Sequence, residues 1–127
     1  MQEKHLFEYA VIRIVPKVER EEFLNAGVIL YCAKQRFLQV MVLVNMQRLN
    51  VLCNEEMCLE LQQNLQALTS ICKGEKGAGP IARLDIASRF RWLTATRSTV
   101  IQTSKVHPGL CDNPLETLNK LYTQLVL

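Results

Sequence analysis

Only four residues, Ala33-Lys34-Gln35-Arg36, separate two runs of strand-forming side chains, Val28–Cys32 and Phe37–Val44. So short a polar link leaves no room for a crossover, and the two runs must fold back on each other as an antiparallel hairpin. The link lacks an Asn-Gly pair, which leaves the turn type open. A further run, Phe7–Val15, precedes them and is rich in β-branched and aromatic residues. It reads as a central strand that stops at Pro16, since proline has no N–H for the ladder. Lys17–Glu22 is a charged connection, and Gly27 marks a bulge or a close backbone approach.

At Asn54 the period changes. Met57, Leu61, Leu65, Leu68 and Cys72 recur at intervals of three and four, the stripe of an amphipathic helix. Asn54 is a good N-cap, Glu55 and Glu56 suit the first turn, and Lys73-Gly74 suits the end. The stretch from Met46 to Cys53 is either a short helix or an irregular connection. Lys73–Pro80 (KGEKGAGP) is expected to be a flexible loop. A shorter helical segment follows around Ile86, Phe90 and Leu93, then a last strand over Thr99–Thr103 and a turn at His107-Pro108-Gly109. The final helix opens with Asn113 as cap, Pro114 at the first position and Glu116 at the third. This order predicts an α+β domain: an antiparallel-dominated sheet of about four strands with helices packed on one face.

With 127 residues, 49% of them apolar and 21% charged, the chain has the size and composition of one globular domain spanning residues 1–127. The net charge of +3 is too small by itself to specify nucleic acid. The five cysteines are odd in number and none forms a Cys-x-x-Cys pair. They read as reduced thiols filling apolar positions in a cytoplasmic protein. The N-terminus has no signal-peptide pattern. Apolar stretches such as Val40–Val44 fall far short of the roughly 20 residues that span a bilayer, so no membrane role is expected.

Two stretches carry a resemblance. Tyr9–Cys32 holds Arg-x-x-Pro followed by Glu-Phe-x-Asn-x-Gly-Val, and Arg89–Leu110 holds Arg-Phe-x-Trp-Leu followed by a Ser/Thr-rich strand. Together, in that order, they resemble a bacterial family known only as domain of unknown function 3037, over about Phe7 to Val126. The resemblance brings no activity with it. Relatives often stand beside HipA-like kinases, which implies a companion protein with a kinase-like partner.

Reactive chemistry finds little support in the residues. Zinc sites use Cys and His in closely spaced pairs; here Cys53 and Cys58 are five apart, and His5 and His107 each stand alone. A nucleophile needs an oriented base, and His107, with Cys111 and Asp112 nearby, is the single candidate. Glu19, Glu21 and Glu22 form a solvated run, and the Gly-rich loop lacks the phosphate-binding pattern. No catalytic residue, metal or cofactor is therefore assigned.

The basic cluster is the main candidate site. Arg83, Arg89, Arg91, Arg97 and Lys105 interleave with Phe90 and Trp92 against one acid, Asp85. Guanidinium forks beside hydroxyls suit phosphate or carboxylate, and an exposed Trp can stack on a base or anchor a partner. The competing reading is that Phe90 and Leu93 face the core while the arginines only solubilise that side. Arg13 and Arg20 belong to the first motif. A charge at mid-strand Arg13 needs a partner, either Glu21 or Glu22 or an anion shared with Asn25 and the later arginines. The candidate anion or partner-binding residues are thus Arg13, Arg20, Asn25, Arg89, Arg91, Trp92, Arg97 and Lys105. The leading expectation is a non-enzymatic interaction protein; the alternative is nucleic-acid or nucleotide binding through the Arg89–Lys105 surface.

Overall fold

The computed structural model describes residues 4–95 and 99–127 of the chain. Its strands are β1 (His5–Ile14), β2 (Leu24–Cys32) and β3 (Phe37–Val42), then β4 (Ile101–Thr103) and β5 (His107–Cys111). Its helices are α1 (Met46–Leu52), α2 (Glu55–Lys73), α3 (Ile86–Leu93) and α4 (Pro114–Leu125). β1, β2 and β3 form an antiparallel meander, with Tyr9 opposite Leu30 and Val28 opposite Met41. The far side of β1 pairs with β4 near its end and with β5 near its start, again antiparallel. The α+β class and the antiparallel sheet are as expected, with five strands in place of about four.

Ser104 explains why one edge is shared between two short strands. It sits between β4 and β5 and is 8% exposed. Its N–H donates to the Val11 carbonyl at 2.8 Å, and its hydroxyl accepts the Val11 N–H at 2.9 Å. A side chain thus replaces one rung of the ladder where the partner strand breaks. β5 itself corrects the turn expected at His107-Pro108-Gly109. Proline is tolerated because the strand lies at the sheet edge, and glycine is there for packing. A Cβ on Gly109 would meet the Phe7 ring at 2.5 Å.

β1 and β2 are buried on both faces. Ala10, Ile12, Ile14 and Ile29 meet Leu49 of α1, Leu61, Leu65, Leu68 and Cys72 of α2, and Phe90 and Leu93 of α3. Phe7, Val28, Leu30 and Cys32 meet Leu118 of α4 on the other side. The helices therefore cover both faces rather than the single face expected. The uninterrupted apolar run Val28-Ile29-Leu30 requires this, because alternate residues point to opposite sides.

Local signals set the helix ends. The Asn54 side chain accepts the Met57 N–H at 2.8 Å, and Gly74 ends α2 in the left-handed region at φ 68°. Asn45 caps α1, so Met46–Leu52 is a helix and not an irregular link. The Asn113 side chain accepts from Leu115 and Glu116 at the start of α4.

At Gly27 the meander is too tight for any side chain. A Cβ there would stand 2.6 Å from the Met41 carbonyl oxygen and 2.7 Å from Val42 Cγ1. Gly27→Ala should lower unfolding free energy by about 1–3 kcal/mol through overpacking. Ser104→Ala, which strands the buried Val11 N–H, should cost a similar 1–3 kcal/mol or so. Urea denaturation of each variant checks both values.

Candidate functional site

α3 presents the central part of the basic cluster. Asp85 caps the helix by accepting the Ser88 N–H at 2.8 Å, an interaction that holds its carboxyl below the usual range. Phe90 and Leu93 then fall on the buried stripe, and Phe90 stacks on Tyr31 of β2 at 5.2 Å between ring centroids. The other face of the helix carries Arg91 and Trp92, both exposed, while Arg89 is half-buried.

The charges on this face are already engaged. Arg89 turns back onto the chain: its Nη1 donates to the Leu84 carbonyl at 2.9 Å and to the Ala82 carbonyl at 3.4 Å. It lies so close to the end of α2 that a Cβ on Gly74 would be 2.9 Å from that nitrogen. Arg89 is a clamp joining α3, the turn at Ile81–Arg83 and the end of α2. Arg91 forms a two-pronged pair with Glu8 of β1, at 2.5 and 2.9 Å. That pairing raises its pKa further, and its guanidinium also lies 5.3 Å from the Phe90 ring centroid. Lys105 is exposed, and Arg97 lies outside the described residues.

The first motif sits elsewhere. Arg13, between buried Ile12 and Ile14, projects to the α4 side. Its partner is neither Glu21 nor Glu22; its guanidinium lies 4.2 Å over the Phe23 ring. Glu22 is taken by Arg20, Nε to Oε1 at 2.5 Å, beside a cleft of about 210 Å³ shared with Pro16, Lys17, Val51 and Leu52. Asn25 stands opposite Arg13 in the ladder and donates to the Leu125 carbonyl at 3.0 Å, fastening the end of α4. Arg13 Nε and Asn25 Oδ1 are both buried, with no hydrogen-bond partner among the described residues. Arg13 and Asn25 thus adjoin each other, but the sheet separates them from Arg89 and Arg91.

The structure does not bring His107 to Cys111. His107 pairs with Tyr9 and Cys111 with His5 in the same ladder, so the two are about 13 Å apart along the strand. Burial pushes the Cys72 thiol up to about 12 and also raises Cys111. Such thiols hold their protons at neutral pH and are poor nucleophiles. Among the described residues, no three His, Cys, Asp or Glu side chains gather as a metal site requires. No helix among them is long and apolar enough to cross a membrane.

Beside these arginines lies an apolar cleft. Trp92 and Leu93, with Asn64, Ala67, Leu68 and Ile71 of α2 and Thr99–Ile101 leading into β4, enclose a cleft of about 360 Å³. Trp92 is 39% exposed at its mouth. The α2 side of this cleft and the Glu8 partner of Arg91 were not singled out from sequence. Ala67 and Ile71 lie one turn apart beside the buried stripe, which is the signal that could have found them.

These features define a small α+β domain with an apolar surface cleft and internally paired charges. A family model described as a protein of unknown function (DUF3037) matches residues 9–126, and the chain belongs to that family. No curated protein and no solved structure matches the chain.

The two arginines should separate on mutation. Arg89→Ala removes a charged donor from two carbonyls and should cost about 1.5–3 kcal/mol. Arg91→Ala breaks an ion pair whose arginine is 57% exposed and should cost under about 1 kcal/mol. Equilibrium unfolding in urea distinguishes them.

Proposed function

We propose that this domain works by contact with a protein partner, through the Trp92 cleft. The observation that carries this reading is the cleft itself: an exposed tryptophan over an apolar floor, beside arginines already committed to Glu8 and to backbone carbonyls. Trp is the residue type that most often dominates binding energy at interfaces, and a partly apolar pocket beside it suits a partner's anchor side chain. The family resemblance adds the kind of partner, a HipA-like kinase that the domain accompanies or regulates in a bacterial cytoplasm.

A second reading is binding of nucleic acid or another phosphate-bearing anion by the Arg89–Lys105 surface. Exposed Arg83 and Lys105 and the exposed Trp92 ring favour it. It draws less support because Arg89 and Arg91 would have to leave their present partners.

Affinity capture of the tagged chain from its own cells, repeated with Trp92→Ala, tests both. The partner reading expects one protein at stoichiometric level, with affinity lowered about thirtyfold by the substitution, as a hot spot of about 2 kcal/mol requires. Equal recovery with Trp92→Ala, or no stoichiometric protein, would sink it. The anion reading instead expects single-stranded oligonucleotide binding that falls steeply with salt.

A further inference from the structure

Cys53 and Cys58 flank the junction between α1 and α2, Cys53 as the C-cap of the first helix and Cys58 in the first turns of the second. Their sulfur atoms lie 2.9 Å apart. This is closer than ordinary packing brings two sulfurs, and roughly 0.9 Å of approach separates them from a bonded pair at about 2.05 Å. Both are held in place. Cys53 Sγ donates to the Leu49 carbonyl at 3.4 Å, and Cys58 Sγ contacts Asn50 Oδ1 at 3.6 Å. Asn54, next to Cys53, is extended (φ −79°, ψ 172°), so part of the link between the thiols lies outside the helical ladder.

Access is asymmetric. Cys53 is half-buried and reachable from outside, whereas Cys58 is 2% exposed and lies behind it. We propose that Cys53 and Cys58 form a modification site, a dithiol oxidised reversibly to an intramolecular disulfide by exchange with a low-molecular-weight disulfide. In the first step the Cys53 thiolate attacks a sulfur of glutathione disulfide, forming a mixed disulfide and releasing one glutathione thiolate, which takes up the proton lost by Cys53. In the second, Cys58 loses its proton and attacks Cys53 Sγ, releasing the second glutathione. Two thiols are oxidised, one external disulfide is reduced, and no other reactant is needed. Val51 and Leu52, immediately before Cys53, wall the cleft that contains Arg20. The closed disulfide ties that wall to α2, so the site is placed to alter the cleft.

Burial, then the hydrogen bond to Cys58, pushes Cys53 up to about 11. Exchange through its thiolate should therefore quicken about tenfold per pH unit between roughly 7 and 10.

The test incubates the folded chain with glutathione disulfide, quenches with acid, alkylates the remaining thiols and maps the peptides by mass spectrometry. The expected product lacks two hydrogens, links Cys53 to Cys58, and reverts with reduced glutathione. Cys53→Ser, at a half-buried position, should keep the melting temperature within a few degrees and form no intramolecular link. The proposal fails if wild type accumulates a stable glutathione adduct, or if all five thiols remain alkylatable. It fails equally if the link joins Cys32 to Cys111, the buried pair on the α4 face, or if Cys53→Ser oxidises like wild type. A rate that does not change with pH would remove the thiolate route.

Discussion

Everything in this fold leans on β1. It is hydrogen-bonded to β2 along one side and to β4 and β5 along the other, and apolar side chains leave both of its faces. A strand in that position cannot be solvated, so the remaining elements are arranged to finish covering it. α2 and α3 close one face and α4 the other. Where the far-side partner breaks, Ser104 supplies the missing rung. A buried N–H left without a partner would cost about 1–3 kcal/mol, which is comparable to a large share of a small domain's stability.

Local chemistry was readable from sequence because each signal is complete within a few residues. Asn54 and Gly74 bound α2, and Asn113-Pro114 opens α4, with no help from elsewhere. The hairpin at Ala33–Arg36 was legible for the same reason. β5 was not. His-Pro-Gly is turn chemistry by local rules, and only the ring of Phe7, a hundred residues earlier in the chain, makes Gly109 a packing residue. The second covered face was present in Val28-Ile29-Leu30 but needed the sheet order to be understood. The charged residues were the least legible. Arg91 finds Glu8 across 83 positions, and Arg13 finds an aromatic ring where a carboxylate or a shared anion was expected.

That last point bears on function. Arginines in two motifs invite an anion, yet here the backbone distributes them to separate tasks: in the later motif Arg89 clamps carbonyls and Arg91 pairs across to β1, and in the first Arg13 lies over Phe23 and Arg20 meets Glu22. Their motif character then reflects architecture as much as recognition. Beside them, Trp92 stands 39% exposed at the mouth of an apolar cleft.

The placement of α4 has a consequence for how the molecule is made. It follows in the chain every strand that it covers, and Asn25 fastens its end across 100 residues. During synthesis, Phe7, Val28 and Leu30 must therefore wait, apolar side outward, until α4 has emerged from the ribosome. One face of the sheet stays uncovered throughout that interval, and exposed apolar surface of this kind makes an incompletely folded chain prone to aggregate.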